Sequence, residues 1–194
     1  MASWAARLKG LGRGGFLGLV IILLLALIGV APEQSERVLS RFTDTNLGEY
    51  AVLEVLDGDT IIVSMDGRAE TIRMIGLDTP EKNHPQKPVQ CYAAAASENL
   101  ARLIGFAPVR LEADPLSQNR DRYNRLLRYV YLRDGTLLNA AQIEQGFAFA
   151  YLSFPFSRSE DFKRLEARAQ AAGRGLWSAC GVYLENGFIN TDPA

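Results

Sequence analysis

The residues with the clearest chemical potential are the acids and the arginine gathered between Leu56 and Glu81. The segment Asp57–Thr60 reads Asp-Gly-Asp-Thr, Arg73 follows inside an apolar run, and the segment Asp78–Glu81 reads Asp-Thr-Pro-Glu. Oxygen ligands without thiolate or imidazole suit Ca²⁺ or Mg²⁺ better than zinc or copper. A charged side chain on an apolar strand needs a carboxylate partner or an anionic ligand. The stretch therefore indicates a hard cation beside a phosphate.

A simpler explanation exists for each part, since Asp-Gly and Asp-Thr-Pro-Glu are both common turn sequences. Arg73 alone is also consistent with a plain arginine–carboxylate pair. Together, however, two acidic clusters at the ends of one strand meander indicate a metal site more strongly than either cluster does alone, because a turn needs only one acid. A second guanidinium is available at Arg125, in the segment Asp121–Arg125. Two planar donors are what a phosphodiester needs as its negative charge grows during cleavage.

Composition excludes several classes of protein. A net charge of −1 and a pI near 5.9 exclude a globally basic nucleic-acid coat, so any affinity for polyanions comes from a local patch. The single histidine, His84, excludes sites built from several imidazoles, and its place between Asn83 and Pro85 favours a loop residue over a ligand. Cys91 and Cys180 form either one disulfide or two buried thiols.

The N-terminal region has the pattern of a membrane-targeting segment. Residues 1–13 are basic, residues 14–31 are uncharged and strongly apolar, and residues 32–47 have the polar composition of a linker. The length favours a transmembrane anchor, with a cleaved signal peptide as the alternative. Positive charge before the apolar segment places residues 1–13 in the cytoplasm and everything after residue 31 outside it.

The folded domain is predicted over residues 48–182, with a C-terminal tail at 183–194. Short β-branched segments and three Asp-Gly pairs predict antiparallel hairpins, and helical periodicity with caps at Asn139 and Ser157 predicts three helices. The predicted strands cover 50–56, 60–65, 70–75, 109–113 and 126–132, and the helices 93–104, 140–145 and 157–172. These five strands, taken in an antiparallel order, favour an α+β fold, a five-stranded OB-type β-barrel with three appended helices, preceded by the N-terminal transmembrane helix.

Taken together, these motifs resemble the staphylococcal nuclease, or thermonuclease, family in order and approximate spacing. The resemblance covers about Val52 to Ser178. The segments that carry it are Asp57–Thr60, Arg73, Asp78–Glu81, Lys82–Pro85, Tyr92–Ser97, Asp121–Arg125, Asn139, Gln145–Gly146 and Gly175–Ser178. One departure is Asn124, where the family commonly has glycine, and asparagine can replace glycine because it tolerates a left-handed backbone.

The resemblance implies a role for each site residue. Asp59 and Asp78 would bind the metal through their side chains and Thr79 through its carbonyl, with Asp57 as an outer partner. Glu81 would orient or deprotonate the attacking water, and Arg73 and Arg125 would hold the phosphate. The substrate-binding residues would be Tyr123, Lys87 and Tyr151. For Tyr151 and its neighbours Phe154 and Phe156, packing in the core or a loop remains an equal alternative.

The family likeness also implies an activity. It implies a monomeric, Ca²⁺-dependent phosphodiesterase that cleaves DNA and RNA, preferably single-stranded, and leaves 3′-phosphate ends. Combined with the N-terminal segment, it predicts a nuclease domain tethered outside the cytoplasmic membrane, or secreted if the segment is cleaved. The alternative is a catalytically silent OB-type module that binds nucleic acid or protein. All five residues central to the chemistry are present in this chain, which favours the enzyme: Asp59, Arg73, Asp78, Glu81 and Arg125.

Overall fold

The fold is built on a six-stranded sheet flanked by helices. The computed structural model describes residues 48–82, 88–185 and 187–194. The strands are β1 (Glu49–Tyr50), β2 (Val52–Asp57), β3 (Thr60–Met65), β4 (Arg68–Met74), β5 (Leu77–Asp78), β6 (Val109–Glu112), β7 (Leu126–Tyr131), β8 (Phe149–Ala150), β9 (Val182–Glu185) and β10 (Phe188–Thr191). The helices are α1 (Ala93–Ile104), α2 (Leu138–Glu144), α3 (Ser159–Ala171) and α4 (Leu176–Ala179).

The main sheet is mixed, not purely antiparallel. Its strand order is β1-β6-β7-β4-β3-β2, and two further pairs form, β5 with β8 and β9 with β10. The meander β2-β3-β4 is antiparallel as predicted, but β4 and β7 pair in parallel. The expected all-antiparallel order was wrong here because α1 and β6 lie between these strands in the chain and form a crossover long enough for parallel pairing. The α+β class is confirmed.

Alternating apolar residues of the meander form the centre of the core. Ile61 and Val63 on β3, and Ile72 and Met74 on β4, are at most 1% exposed. Helix α1 covers them with Leu100, which is fully buried. Burying a side chain of this size contributes about 1.5–3 kcal/mol. The same alternation leaves Arg73, between Ile72 and Met74, on the other face of β4.

The helix positions match the predictions better than the helix caps do. Helix α1 spans the predicted residues, and α4 is an additional short helix. Asn139 does not cap α2 but lies inside it, where its amide donates to the Ile75 carbonyl and accepts from the Val130 amide. The capping box predicted at Ser157 is also wrong, because α3 begins at Ser159 and the Ser157 amide donates to Asp114 instead.

The C-terminal residues form a hairpin that is attached to the domain. Strands β9 and β10 pair antiparallel, and the Asp192 carbonyl accepts the Cys91 amide at 2.6 Å. Cys91 and Cys180 form a disulfide with an S–S distance of 2.02 Å, which decides between the two alternatives for the cysteines. The strands of this hairpin are therefore held against the segment that precedes α1.

Among the helices of residues 48–82, 88–185 and 187–194, none combines the length and apolar character required to cross a membrane. The predicted anchor or signal segment, residues 14–31, lies outside the described residues. So do the basic residues 1–13 and the linker 32–47.

Candidate active site

The first two acids lie on the tight turn that joins β2 to β3. Asp57 pairs with Thr60 across this turn, so Gly58 and Asp59 are its central residues. A Cβ atom on Gly58 would lie 2.7 Å from the Ala96 Cβ and 2.8 Å from the Thr79 side chain. Only glycine fits at this position, because the turn is pressed between helix α1 and the segment that carries the second pair of acids.

Gln142 on helix α2 binds the main chain of the same turn. Its Nε2 donates to the carbonyls of Gly58, at 2.8 Å, and of Ala96, at 3.0 Å. Its Oε1 accepts from Asn99 at 2.6 Å, and the residue is fully buried. Sequence reasoning missed Gln142, although a signal was present: an uncharged polar residue between Ala141 and Ile143 in a short, mostly apolar helix.

Arg73 joins the two acidic clusters. Its Nη1 lies 2.7 Å from Asp59 Oδ2 and its Nη2 lies 2.6 Å from Asp78 Oδ1. Nη1 also donates to the Leu77 carbonyl at 2.9 Å. The Arg73 side chain is 14% exposed, so the buried guanidinium is paired with two carboxylates that are 19 positions apart in sequence. The structure thus brings Asp59, Arg73 and Asp78 together.

Asp59 is the most heavily hydrogen-bonded acid of the cluster. Its Oδ1 accepts from Thr60 Oγ1 at 2.8 Å, and its Oδ2 accepts from both the amide and the hydroxyl of Thr79 at 3.1 Å. Thr79 is 4% exposed. These bonds keep Thr79, whose carbonyl is a predicted ligand, directly beside the Asp59 carboxylate.

The cluster carries more negative charge than one guanidinium neutralises. Burial, with the nearby charge of Asp59, raises the pKa of Asp57 to about 6. Burial likewise raises the pKa of Asp78 to about 7 against the opposing effect of Arg73, with Asp59 and Glu81 adding to the rise. For Arg73, burial lowers the pKa, but the surrounding carboxylates outweigh it and the net shift is upward. A further cation would favour the ionised form of these acids.

The predicted metal ligands are few, but their chemistry fits a hard cation. Within the described part of the chain, no three acidic, histidine or cysteine side chains form a metal-binding group. The predicted set contains only two such side chains, Asp59 and Asp78, and is completed by the main-chain carbonyl of Thr79. All of these donors are oxygens, as Ca²⁺ and Mg²⁺ prefer, and water commonly fills the remaining positions around such ions.

Glu81 lies at the exposed edge of this cluster. Its charge raises the pKa values of both Asp57 and Asp78, so it acts on the same group of acids. Its main chain is bound on both sides by Gln90: the Glu81 amide donates to Gln90 Oε1 at 2.6 Å, and the Gln90 amide donates to the Glu81 carbonyl at 3.0 Å. Lys87 lies outside the described residues.

Arg125 is placed by the loop before β7. Its Nε contacts Asp121 Oδ2 at 2.7 Å, and Asp121 Oδ1 accepts the Tyr123 and Arg125 amides at 2.9 Å. Asn124 has φ 64°, so the expected left-handed backbone is confirmed. Leu127 pairs with Arg73 in the parallel β4–β7 ladder, and Arg125 lies two residues earlier. Arg125 itself precedes β7, so this ladder brings the loop that carries it beside β4.

The predicted substrate-binding aromatics differ in their exposure. Tyr123 is 64% exposed, and the guanidinium of Arg125 lies 5.4 Å from its ring centroid. Tyr151 is half-buried, with its ring centroid 5.9 Å from that of the exposed Phe154. Phe156 is 4% exposed and belongs to the core, so the packing alternative holds for this residue.

Known nucleases share sequence with most of this chain. The family model described as staphylococcal nuclease homologue matches residues 71–179, more than half of the chain. A thermonuclease of Staphylococcus hyicus is 39% identical over 137 residues, which cover 70% of this chain and 79% of that protein. A thermonuclease of Staphylococcus intermedius is 43% identical over 108 residues, 56% of this chain and 62% of that protein.

A third relative is longer. The SPbeta prophage-derived endonuclease YokF of Bacillus subtilis (strain 168) is 36% identical over 135 residues, covering 69% of this chain but only 45% of that protein. The match to the family model and the extent of identity to the Staphylococcus hyicus protein together decide the relationship. This chain belongs to the staphylococcal nuclease family.

Proposed function

We propose that this chain is a Ca²⁺-dependent nuclease that hydrolyses phosphodiester bonds of DNA and RNA and leaves 3′-phosphate ends. The observation that carries the proposal is the contact of one buried guanidinium, Arg73, with both Asp59 and Asp78, beside Glu81. Relatives named thermonuclease and endonuclease support the same activity. The substrate is preferably single-stranded, and the enzyme acts as a monomer.

Asp59, Asp78 and the Thr79 carbonyl would hold the Ca²⁺, with Asp57 as an outer partner. When bound, the metal supplies a Lewis acid that polarises a phosphoryl oxygen and favours ionisation of water. The excess of carboxylates over guanidinium charge in the cluster supports a divalent cation at this place. Asp57 precedes Gly58, whose carbonyl accepts from Gln142, so the turn that carries Asp57 is anchored to helix α2.

The remaining roles belong to side chains around the acids. Glu81 orients the attacking water and accepts its proton. Arg73 contacts the phosphate through donors other than those that hold Asp59 and Asp78, since a guanidinium has five N–H groups. Arg125, in the loop that leads into β7, neutralises a second phosphate oxygen. Tyr123, Lys87 and Tyr151 complete the proposed site by contacting the nucleotide.

We place the nuclease domain outside the cytoplasm, tethered by residues 14–31 or released if that segment is cleaved. The Cys91–Cys180 disulfide supports this placement, because disulfides persist in oxidising compartments and are rare in the cytosol. The basic residues before the apolar segment support the same orientation.

The decisive experiment is cleavage of a 5′-labelled single-stranded oligonucleotide by purified full-length protein, with Ca²⁺ or with chelator. We expect Ca²⁺-dependent products whose mobility changes on phosphatase treatment, because a 3′-phosphate is removed. A duplex of the same sequence should be cut more slowly.

The control is Asp59→Asn prepared in parallel, which should lose cleavage while remaining folded by circular dichroism. Equal cleavage by this variant would assign the activity to a contaminant or to another site. Binding of the oligonucleotide without any cleavage would instead favour the silent OB-type module.

A further inference from the structure

We propose that the C-terminal hairpin, β9–β10, is a positioning element for Glu81 and acts on it through Asn190 and Gln90. This inference rests on the proposed function, because it assumes that Glu81 accepts the proton. The hairpin itself lies beyond the match to the family model, which ends at residue 179.

Gln90 is the direct link to Glu81. It is 6% exposed and binds both main-chain groups of Glu81, at 2.6 Å through its side chain and at 3.0 Å through its own amide. The other end of the Gln90 amide, Nε2, donates to Asn190 Oδ1 at 3.0 Å. Since Asn190 is 8% exposed, the contact is buried and polar. Buried amides that lack a partner are costly, so this bond fixes which way the Gln90 amide points.

Three contacts beside this link hold the hairpin in register with Gln90. Thr191 Oγ1 donates to the Cys91 carbonyl at 2.9 Å, and the Ala194 amide donates to the Val89 carbonyl at 2.8 Å. The disulfide from Cys91 to Cys180 ties the residue after Gln90 to the start of the hairpin. These contacts hold the hairpin next to Gln90 and so position Asn190 to accept its hydrogen bond.

The arrangement matters because the Glu81 side chain is exposed. The exposed Glu81 carboxylate is not restricted by packing as the buried Asp59 carboxylate is. The position of the Glu81 carboxylate therefore depends on the position of the Glu81 main chain. Catalytic groups need placement to within a fraction of an ångström, and a shift of about 1 Å costs about 100-fold in rate. Gln90 supplies that placement only while its Oε1 faces the Glu81 amide.

The test is Asn190→Leu in the full-length protein, which removes the acceptor from Gln90. We expect kcat to fall about 10- to 100-fold with KM within about twofold, because placement of the base is lost and substrate contacts remain. Hydrogen exchange at the Glu81 amide should rise about tenfold. Asn190→Asp, which keeps the acceptor oxygen, should retain both the wild-type kcat and the wild-type exchange rate at the Glu81 amide.

The matched control is Thr191→Val, which removes a neighbouring hydrogen bond of the same hairpin but leaves Asn190 and Gln90 in place. Equal losses in both variants would reduce the hairpin to a general stabilising element and overturn the proposal. Unchanged exchange, or an unchanged kcat, in Asn190→Leu would also overturn it.

Gln90→Met provides a second route if Asn190→Leu fails to fold, and it should give the same loss of kcat and the same faster exchange. An inactive wild-type protein would refute the proposed function. The exchange measurement would then still decide whether Asn190 holds the Glu81 main chain.

Discussion

At the scale of single residues, the candidate site is centred on Arg73, whose guanidinium contacts the carboxylates of both Asp59 and Asp78. A charge on an apolar strand needs such a partner, so the sequence alone predicts a functional or paired role for Arg73. Gln90 and Gln142 were missed, although each binds the main chain of a site residue or its neighbour. Burying an uncharged amide costs less free energy than burying a charge, so a glutamine in the sequence does not by itself indicate a partner. Its role is recognised only when the residues that pack against it are known.

Glu81→Gln should lower kcat by about 100- to 10 000-fold, the range for removing a general base. Binding should change little, since the amide has the shape of the carboxylate and Gln90 holds the main chain in both. Single-turnover cleavage and oligonucleotide binding under Ca²⁺ would separate the two effects.

Glu160→Gln, on the exposed start of α3, is the matched control and should leave both quantities unchanged. Cleavage by Glu81→Gln at the wild-type rate would remove Glu81 from the mechanism and leave water activation to another group.

At the scale of secondary-structure elements, Asp114 connects three parts of the chain. Its carboxylate accepts from Tyr129 Oη on β7 at 2.6 Å, from the Ser157 amide before α3 at 2.7 Å, and from the Leu116 amide at 2.7 Å. It is 4% exposed. Burial alone would raise the pKa of Asp114, but these hydrogen bonds hold it below its usual value. The loop that ends at Arg125 begins at this carboxylate.

Asp114→Asn should lower the free energy of unfolding at pH 7 by about 1–3 kcal/mol, because the new NH₂ group cannot accept from an amide. The pKa of Asp114 is lower in the folded state, so its stabilisation is complete above the unfolded value of about 3.9 and is lost as pH falls through the folded pKa. Urea unfolding from pH 7 to pH 3 should show the difference between wild type and variant shrinking below about pH 4.

Asp134→Asn serves as the comparison, since Asp134 is an exposed turn residue whose pKa is also lowered, by the Thr136 amide. Its effect on stability should be much smaller at every pH. A difference for Asp114→Asn that is constant down to pH 3 would show that the ionised carboxylate is not the source of the stabilisation.

At the scale of the whole molecule, local patterns were predictable and long-range pairings were not. The meander β2–β4 and helix α1 follow from alternation, turn residues and helical spacing within a few residues. The parallel β4–β7 pair, the Cys91–Cys180 disulfide and the docking of β9–β10 join distant segments. A short stretch of sequence does not distinguish such pairings from their alternatives. The grouping of Asp59 and Asp78 around Arg73 was therefore predictable, and the hydrogen bonds of Gln90 with Glu81 and Asn190 were not.

The disulfide and the N-terminal segment lead to one joint expectation for the whole chain. If residues 14–31 anchor the protein with its nuclease domain outside the cytoplasm, full-length protein expressed in bacterial cells should stay in the membrane fraction after a carbonate wash. Cys91 and Cys180 should then resist thiol alkylation until a reductant is added, because the domain would fold in an oxidising compartment. Release of a shorter, oxidised species would indicate a cleaved signal peptide, whereas a soluble protein with two reactive thiols would contradict the proposed location.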